Sequence, residues 1–187
     1  MKIILGEYSG RNFYMPYDIR PSQNLLRKAV FDIIGTELEG LSFLDLFSGS
    51  GDMGLEALSC GAAEVCMVEH DPMHVKVIED NLVILKPAER GLRAHVVHQD
   101  AFATIKEFAR AGRKFNVVFS DPPFGKKLGK KTLKALLTHD ILTPLSYVIA
   151  QYGTDEKMPD TEGRWTILKH KQYGSSWLTI YQNNTEK

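Results

Sequence analysis

Short apolar runs alternate with amphipathic segments from residue 42 onward, and this alternation constrains the fold more than any other feature of the chain. The apolar runs predict strands over 42–47, 64–69, 94–98, 115–120 and 147–151, and the segments between them predict helices over 52–60, 73–85, 102–111 and 130–137. Repeated strand–helix units form a parallel sheet covered on both faces, with ligands at the carboxyl ends of the strands. The sequence therefore predicts an α/β fold.

The N-terminal part departs from this alternation. Residues 2–15 alternate weakly around Tyr8-Ser9-Gly10-Arg11, which predicts a small N-terminal β-hairpin. Ser22 is a candidate N-cap for an amphipathic helix over 25–34, and Gly35 is a candidate helix end.

The C-terminal part departs from it as well. Segments 165–173 and 177–182 predict two antiparallel strands joined across Gly174-Ser175. Together with the five earlier strands they predict a mostly parallel seven-stranded sheet that ends in an antiparallel hairpin. We expect one domain over 1–187, with residues 1–20 as a hairpin extension and residues 21–187 as the core.

The charges are balanced in number but clustered in position. The chain has 23 Lys and Arg residues and 23 Asp and Glu residues, which counts mildly against a nucleic-acid partner because such domains often carry a basic excess. Four cations lie near the N-terminus (Arg11, Arg20, Arg27 and Lys28), and five lysines follow residue 125 (Lys126, Lys127, Lys130, Lys131 and Lys134). These clusters are candidate phosphate contacts.

Several features bear on the compartment. No segment resembles a signal peptide or the roughly 20 apolar residues of a membrane span. Cys60 and Cys66 lie inside predicted elements, which favours buried thiols over a disulfide. No Cys or His cluster has the spacing of a metal site. We expect a cytoplasmic protein without a membrane or metal partner.

A glycine-rich loop follows the first predicted strand of the sheet. Gly49-Ser50-Gly51-Asp52-Met53-Gly54 fits the GxGxxG pattern of dinucleotide-binding proteins. Asp45, just before the loop, suits an ammonium better than a pyrophosphate, and loop N–H groups before a helix can bind a carboxylate. An ammonium and a carboxylate form the methionine end of S-adenosylmethionine. Glu69, at the end of the next strand, would accept the ribose hydroxyls.

A second acidic residue ends the third strand. Asp100 could accept a hydrogen bond from the adenine amino group, with Phe102 packed on the ring, although Asp before a helix is also an ordinary N-cap. The whole predicted cofactor site then comprises Asp45, Phe47, Ser48, Gly49, Gly51, Glu69, His70, Asp100, Ala101 and Asp121.

Asp121-Pro122-Pro123-Phe124 follows the fourth strand and is the predicted catalytic loop. Each proline disfavours helical geometry in the residue before it, so the loop is expected to be extended and stiff. The Asp121 carboxylate and the Pro122 carbonyl then suit an NH₂ group with two donors. Phe124 offers a face for a base, a contact worth about 1–3 kcal/mol. The alternative is a rigid surface turn. Arg11, Arg20, Lys126, Lys127 and Lys130 are the predicted substrate-binding residues, although a lysine run is often only a solvated helix face.

At these residues the chain resembles the bacterial family of 16S rRNA guanine-N2 methyltransferases of the RsmD type. The shared segments lie at 6–11, 20–22, 29–33, 44–51, 54–59, 68–69, 121–124 and 173–174. The resemblance implies a Rossmann-like class I methyltransferase fold, S-adenosylmethionine as cofactor, and methyl transfer to the exocyclic N2 amine of a guanine. It also implies 16S rRNA or a small-subunit assembly particle as partner, with the enzyme acting as a monomer. Cys60 and Gln151 stand where the family usually has arginine and glutamate, and the cofactor residues remain intact.

Three alternative functions use the same residues. An amino-methyltransferase acting on DNA needs the same loop, but this chain has no extra domain for reading a long sequence. A methyltransferase acting on a protein side-chain amide has the same acceptor geometry. A cofactor-binding RNA-assembly factor without turnover is the alternative outside enzymology.

Overall fold

We describe a computed structural model of the chain, which defines residues 1–18, 24–123, 125–161 and 163–184. The chain divides into two compact units, Met1–Asp100 and Ala101–Lys187. Neither the single-domain prediction nor its boundary after residue 20 is tested by this division, and both stay predictions. Ser22, the candidate N-cap, lies outside the described residues.

The first unit contains the first half of the predicted alternation. Its elements are α1 (Asn24–Ile34), β1 (Ser42–Asp45), α2 (Asp52–Ser59), β2 (Glu64–Glu69), α3 (Pro72–Leu85), a 3₁₀ turn (Pro87–Arg90) and β3 (Arg93–His98). β2 pairs in parallel with β1 on one side and with β3 on the other. α3 begins where the side chain of Asp71 accepts the N–H groups of Met73 and His74, an N-cap that satisfies two of the unpaired donors of the first turn.

The second unit contains α4 (Ala101–Arg110), β4 (Phe115–Ser120), α5 (Leu128–Thr138), β5 (Leu142–Gly153), β6 (Trp165–Tyr173) and β7 (Ser176–Asn183). β4 and β5 are parallel, whereas β7 is antiparallel to both β5 and β6. The strand order of the sheet is β3-β2-β1-β4-β5-β7-β6. The predicted mostly parallel seven-stranded sheet with a C-terminal antiparallel hairpin is confirmed.

β5 begins at Leu142, before the start at residue 147 that the sequence predicts. The first part of the strand is irregular. Phe115 of β4 pairs with Leu142, but Val117 pairs with Tyr147, so the stretch 143–146 of β5 bulges out of the ladder. Pro144 has no N–H to donate, and Leu145 has a φ of 57°. This break hides the first residues of the strand from a search for periodic apolar residues.

The two arms of the predicted N-terminal hairpin meet in an antiparallel bridge between Lys2 and Asn12. Main-chain bonds also cross the segment, from Ile3 to Arg11 at 3.0 Å and from Phe13 to Met1 at 2.8 Å, and further main-chain N–H groups donate to side chains of α2. The N–H groups of Ile4 and Leu5 donate to the Glu56 carboxylate of α2, and the N–H of Tyr8 donates to Ser59 Oγ at 2.9 Å. Side chains of α2 therefore anchor the N-terminal segment in addition to the bonds between its own two arms.

A buried ion pair joins α1 to α2. Arg27 Nη1 lies 3.2 Å from Glu56 Oε2, and both side chains are fully buried. Desolvation raises the pKa of Glu56, while its bond from the Leu5 N–H and the charge of Arg27 oppose that rise. Because a buried charge is costly without partners, Glu56 depends on both the arginine and the N-terminal main chain.

Candidate active site

β1 places Asp45 at its carboxyl end, with only 1% of the residue exposed. The chain then turns tightly. Ser48 Oγ donates to the main-chain oxygen of Asp45 at 3.1 Å, and the Ser48 N–H donates to Val68 of β2 at 3.0 Å. A carboxylate in so dry a place attracts a cation more strongly than one in water. The position of Asp45 fits the ammonium of an amino-acid ligand.

The glycine loop adopts backbone conformations that side chains rarely take. Gly49 has a φ of 51° and Gly51 a φ of 77°, a region that glycine enters without steric cost. A Cβ on Gly51 would also lie 3.1 Å from Ile78 Cγ1. Gly51 is the N-cap of α2, so the loop leads directly into a helix N-terminus.

Glu69 closes the loop from the end of β2 and is 5% exposed. Its Oε2 accepts the Gly49 N–H at 2.7 Å, and its Oε1 accepts the N–H groups of His70 and Asp71 at 2.8 and 2.9 Å. A carboxylate has about four lone-pair positions, so these bonds leave one position, on Oε2. Glu69 therefore holds the loop and retains one acceptor for a ligand hydroxyl.

Histidines surround the same carboxylate. His70 Nδ1 lies 2.9 Å from Glu69 Oε1, although the His70 side chain is 74% exposed. His74, in the first turn of α3, lies 3.8 Å from Glu69 through Nδ1 and 3.1 Å from Asp18 through Nε2. The structure therefore brings together Asp45, Ser48, Gly49, Glu69 and His70. Gly51 is in the same loop, and Phe47 is half-buried beside it.

The remaining cofactor residues are placed as follows. Asp100 is exposed and directly precedes α4, and Ala101 is the buried first residue of that helix. Phe102 is half-buried, and Lys131 Nζ lies 3.9 Å from the centre of its ring. A cation thus covers one face of the ring that was considered for packing against adenine.

The Asp-Pro-Pro loop stands at the end of β4 in the second unit. Asp121 is half-buried, Pro122 is buried and Pro123 is exposed. All but Asn116 of the six β4 residues are buried, so the strand is a firm base for the loop. Phe124 lies outside the described residues, and its predicted stacking role stays a prediction.

The predicted substrate residues are at the surface. Lys126, Lys127 and Lys130 are exposed, and Arg11 is exposed in the first unit. Glu156 caps α5 by accepting the Lys130 N–H at 3.1 Å, which fixes the main chain beneath the lysines. Arg20 lies outside the described residues.

Sequence reasoning missed two buried polar residues that anchor the N-terminal segment, Asn81 and Glu56. Asn81 is fully buried on the apolar stripe of α3, among Val75, Ile78 and Leu85. A polar residue on the buried face of a predicted helix was the available signal, because such a group needs a hydrogen-bond partner. Glu56 carried the same signal in α2, where every residue is buried.

No helix within the described residues is long and apolar enough to cross a membrane. In the same part of the chain, no group of three or more His, Cys, Asp or Glu residues could hold a metal ion.

The chain is similar to known proteins in both sequence and structure. The family model described as conserved hypothetical protein 95 matches residues 1–182. Ribosomal RNA small subunit methyltransferase D of Escherichia coli is 28% identical over 100% of this chain and 91% of its own length. The solved structure of yhhF from Escherichia coli has a TM-score of 0.84 at 26% identity, covering 100% of this chain and 99% of that one.

A more distant structure shares the fold. The 16S rRNA N2 methyltransferase RsmC of T. thermophilus, solved with AdoMet and guanosine, has a TM-score of 0.66 at 21% identity, covering 90% of this chain and 44% of that one. This likeness concerns the fold alone. The predicted Rossmann-like methyltransferase fold is confirmed.

Proposed function

Because the chain belongs to the family described as conserved hypothetical protein 95, we propose that it transfers a methyl group from S-adenosylmethionine to a base of ribosomal RNA. The finer proposal is the exocyclic N2 amine of a guanine in 16S rRNA. The observation that carries the proposal is the buried Asp45 carboxylate beside a glycine loop that Glu69 holds. The naming of the Escherichia coli relative as a small-subunit rRNA methyltransferase supports the substrate class.

The residues of the first unit fit the cofactor. Asp45 would bind the ammonium. Loop N–H groups between Phe47 and Gly51 would bind the carboxylate, which requires Gly49 or Gly51 to leave its present acceptor in the protein. Glu69 Oε2 would accept a ribose hydroxyl with its remaining lone pair, and a second hydroxyl requires Glu69 to release one of its main-chain donors. His70 would flank the ribose. We assign the adenine end to Asp100, Ala101 and Asp121.

The Asp-Pro-Pro loop supplies the acceptor chemistry. When bound, the cofactor supplies an electrophilic methyl carbon on a sulfonium. The two protons of the amine donate to the Asp121 carboxylate and the Pro122 carbonyl, which favours a pyramidal nitrogen whose lone pair is available for attack. These bonds strengthen as positive charge builds on nitrogen, so they stabilise the transition state more than the ground state. The N–C bond forms as the C–S bond breaks, and the ammonium product loses its proton to water.

The remaining roles concern positioning. Pro123 keeps the loop extended, and Phe124 would stack on the base after it leaves its helical stack. Lys126, Lys127, Lys130, Arg11 and Arg20 would contact RNA phosphates. Each lysine-to-alanine change in this group is expected to lower the slope of log affinity against log salt by about 1. We propose that the enzyme acts as a monomer in the cytoplasm, where small ribosomal subunits assemble.

Transfer of labelled methyl from S-adenosylmethionine tests the proposal. Unmodified small ribosomal subunits, naked 16S RNA, DNA and a protein fraction serve as parallel acceptors. We expect label in the RNA, recovered after digestion as N2-methylguanosine. Label only in DNA or protein would overturn the substrate class. Absence of label in every fraction, with cofactor binding intact, would favour a non-catalytic assembly factor.

A further inference from the structure

Two tyrosines project from the segment that follows the N-terminal bridge. Tyr14 is 61% exposed and Tyr17 is 86% exposed. Phe13 and Pro16, which precede them in the chain, are buried. The segment thus has an inward face, formed by Phe13 and Pro16, and an outward face with two large aromatic rings. Large exposed aromatic rings are typical of binding surfaces.

The main chain beneath Tyr14 is fixed by a reciprocal pair of hydrogen bonds. The Tyr14 N–H donates to Asn81 Oδ1 at 2.8 Å, and Asn81 Nδ2 donates to the Tyr14 carbonyl at 3.0 Å. Asn81 is fully buried on α3 whereas Tyr14 is exposed, so the two bonds are partly shielded from water.

The segment is also held on both sides of this point. His74 Nε2 lies 3.1 Å from Asp18 Oδ1, one residue after Tyr17. Phe13 N–H donates to the Met1 carbonyl at 2.8 Å. A backbone held in this way presents its rings without a further cost of ordering the main chain on binding, which is the advantage of preorganisation.

The size of the exposed surface decides what kind of partner fits. A buried aromatic side chain covers about 150–250 Å², so two rings supply about 300–500 Å². A stable protein–protein interface needs about 800 Å² on each side. A nucleic-acid base needs only one ring face, and stacking on it tolerates any base because every base has a π face.

We infer that Tyr14 and Tyr17 form a stacking platform for unpaired bases of the substrate RNA, outside the methyl-transfer site. Each residue spans at most about 3.6 Å of chain, so the two Cα atoms lie within about 11 Å and both rings can face one short strand. Arg11, exposed on the same segment, adds a cation for phosphate. The inference rests on the proposed function in one respect, that the substrate is RNA.

The test uses Tyr14→Ala, Tyr17→Ala and the double variant, with Tyr14→Phe and Tyr17→Phe as conservative controls. Val83→Ala, which truncates a 72% exposed apolar side chain on α3, controls for the loss of exposed surface. Affinity is measured for a short unstructured RNA carrying a fluorescent label and for the same RNA annealed to its complement. The KM and kcat of methyl transfer to ribosomal RNA and the affinity for S-adenosylmethionine are measured in parallel.

Each alanine variant is expected to bind the single strand about 5- to 150-fold more weakly. The phenylalanine and Val83 variants should match the wild type, because stacking needs the ring and not the hydroxyl. Affinity for the duplex, the salt dependence of binding, kcat and cofactor affinity should stay unchanged, since stacking neutralises no phosphate. The KM for ribosomal RNA should rise with the loss of affinity.

Wild-type affinity of the double variant for the single strand would overturn the inference while leaving the proposed function standing. An equal loss for single strand and duplex would also overturn it. A wild-type dimer that dissociates in the double variant would assign the rings to self-association instead. Failure of the wild type to methylate any RNA would overturn the proposed function, and the single-strand measurement would then decide the stacking platform alone.

Discussion

The loop after β1 and the loop after β4 both follow a buried parallel strand, yet different forces fix them. The first is held by long-range bonds, from Ser48 to Val68 and from Gly49 to Glu69, and its surroundings are buried. The second is shaped by two prolines and by the left-handed conformations of Gly125 and Lys127, and Pro123 and residues 125–127 are exposed. The difference suits the two proposed ligands, since a cofactor fits one closed site whereas an RNA base must enter an open one.

The buried ion pair of α2, the helix that follows the first loop, predicts the largest effect. Glu56→Ala leaves Arg27 buried without its carboxylate and deprives the N–H groups of Ile4 and Leu5 of their acceptor. Breaking a buried pair in this way costs about 3–5 kcal/mol. Urea unfolding should show this loss, and the double variant Arg27→Met/Glu56→Leu should be more stable than Glu56→Ala alone. A loss below about 1 kcal/mol would mean that the buried pair contributes little to stability.

Substitution of Asp121 in the loop after β4 is expected to lower the rate of methyl transfer without lowering the free energy of unfolding. Asp121→Ala removes an acceptor that the proposed mechanism uses in the transition state, and removal of one such group typically lowers kcat about 10²–10³-fold. Single-turnover methyl transfer measures the rate, and calorimetry measures cofactor affinity. Asp121→Asn, which keeps one oxygen acceptor, is the matched control and should lose less. Wild-type transfer by Asp121→Ala would show that this loop is not catalytic.

Gly51→Ala should disturb the first loop by a smaller amount. The substitution forces an L side chain into a backbone with φ 77° and brings its Cβ to 3.1 Å from Ile78 Cγ1. The backbone conformation alone costs about 1–2 kcal/mol. Unfolding and cofactor affinity should both fall, and Gly125→Ala, at φ 79° with open space around its Cβ, compares the same conformation in the second loop. An equal loss of cofactor affinity in Gly51→Ala and Gly125→Ala would contradict the assignment of the cofactor to the first loop.

The smallest effect concerns the thiol at the end of α2. Burial, with a contribution from the charge of Glu56, raises the pKa of Cys60 from about 9 to about 12. The folded state therefore holds this proton more tightly than the unfolded state does. The associated stability is fully present below pH 9 and is lost as the pH rises towards 12. Native protein at pH 8 should resist iodoacetamide at Cys60, and urea-unfolded protein should react. Rapid labelling of Cys60 in the native protein would contradict its burial.

Local sequence patterns predicted most of the helices and strands, but they did not predict the hydrogen bonds between these elements. β2 and β4 have the predicted limits, Glu64–Glu69 and Phe115–Ser120, because unbroken apolar runs identify buried strands. The capture of the Gly49 N–H by Glu69 joins residues 20 positions apart, and no local pattern encodes such a bond. The same limit explains why Glu56 was not expected to accept the N–H groups of Ile4 and Leu5.

The edge strand of the sheet has a consequence for the behaviour of the protein in solution. The chain has a formal net charge of zero at pH 7, so long-range repulsion between copies is weak. An exposed strand edge is a template for pairing with another chain, and β6 lies at such an edge. Its pairing with β7 shifts register between Ile167 and Lys169, and Lys171 is exposed on it. The register shift and Lys171 thus oppose pairing of this edge with a second copy, whereas Ile167 and Leu168, exposed on the same strand, favour it.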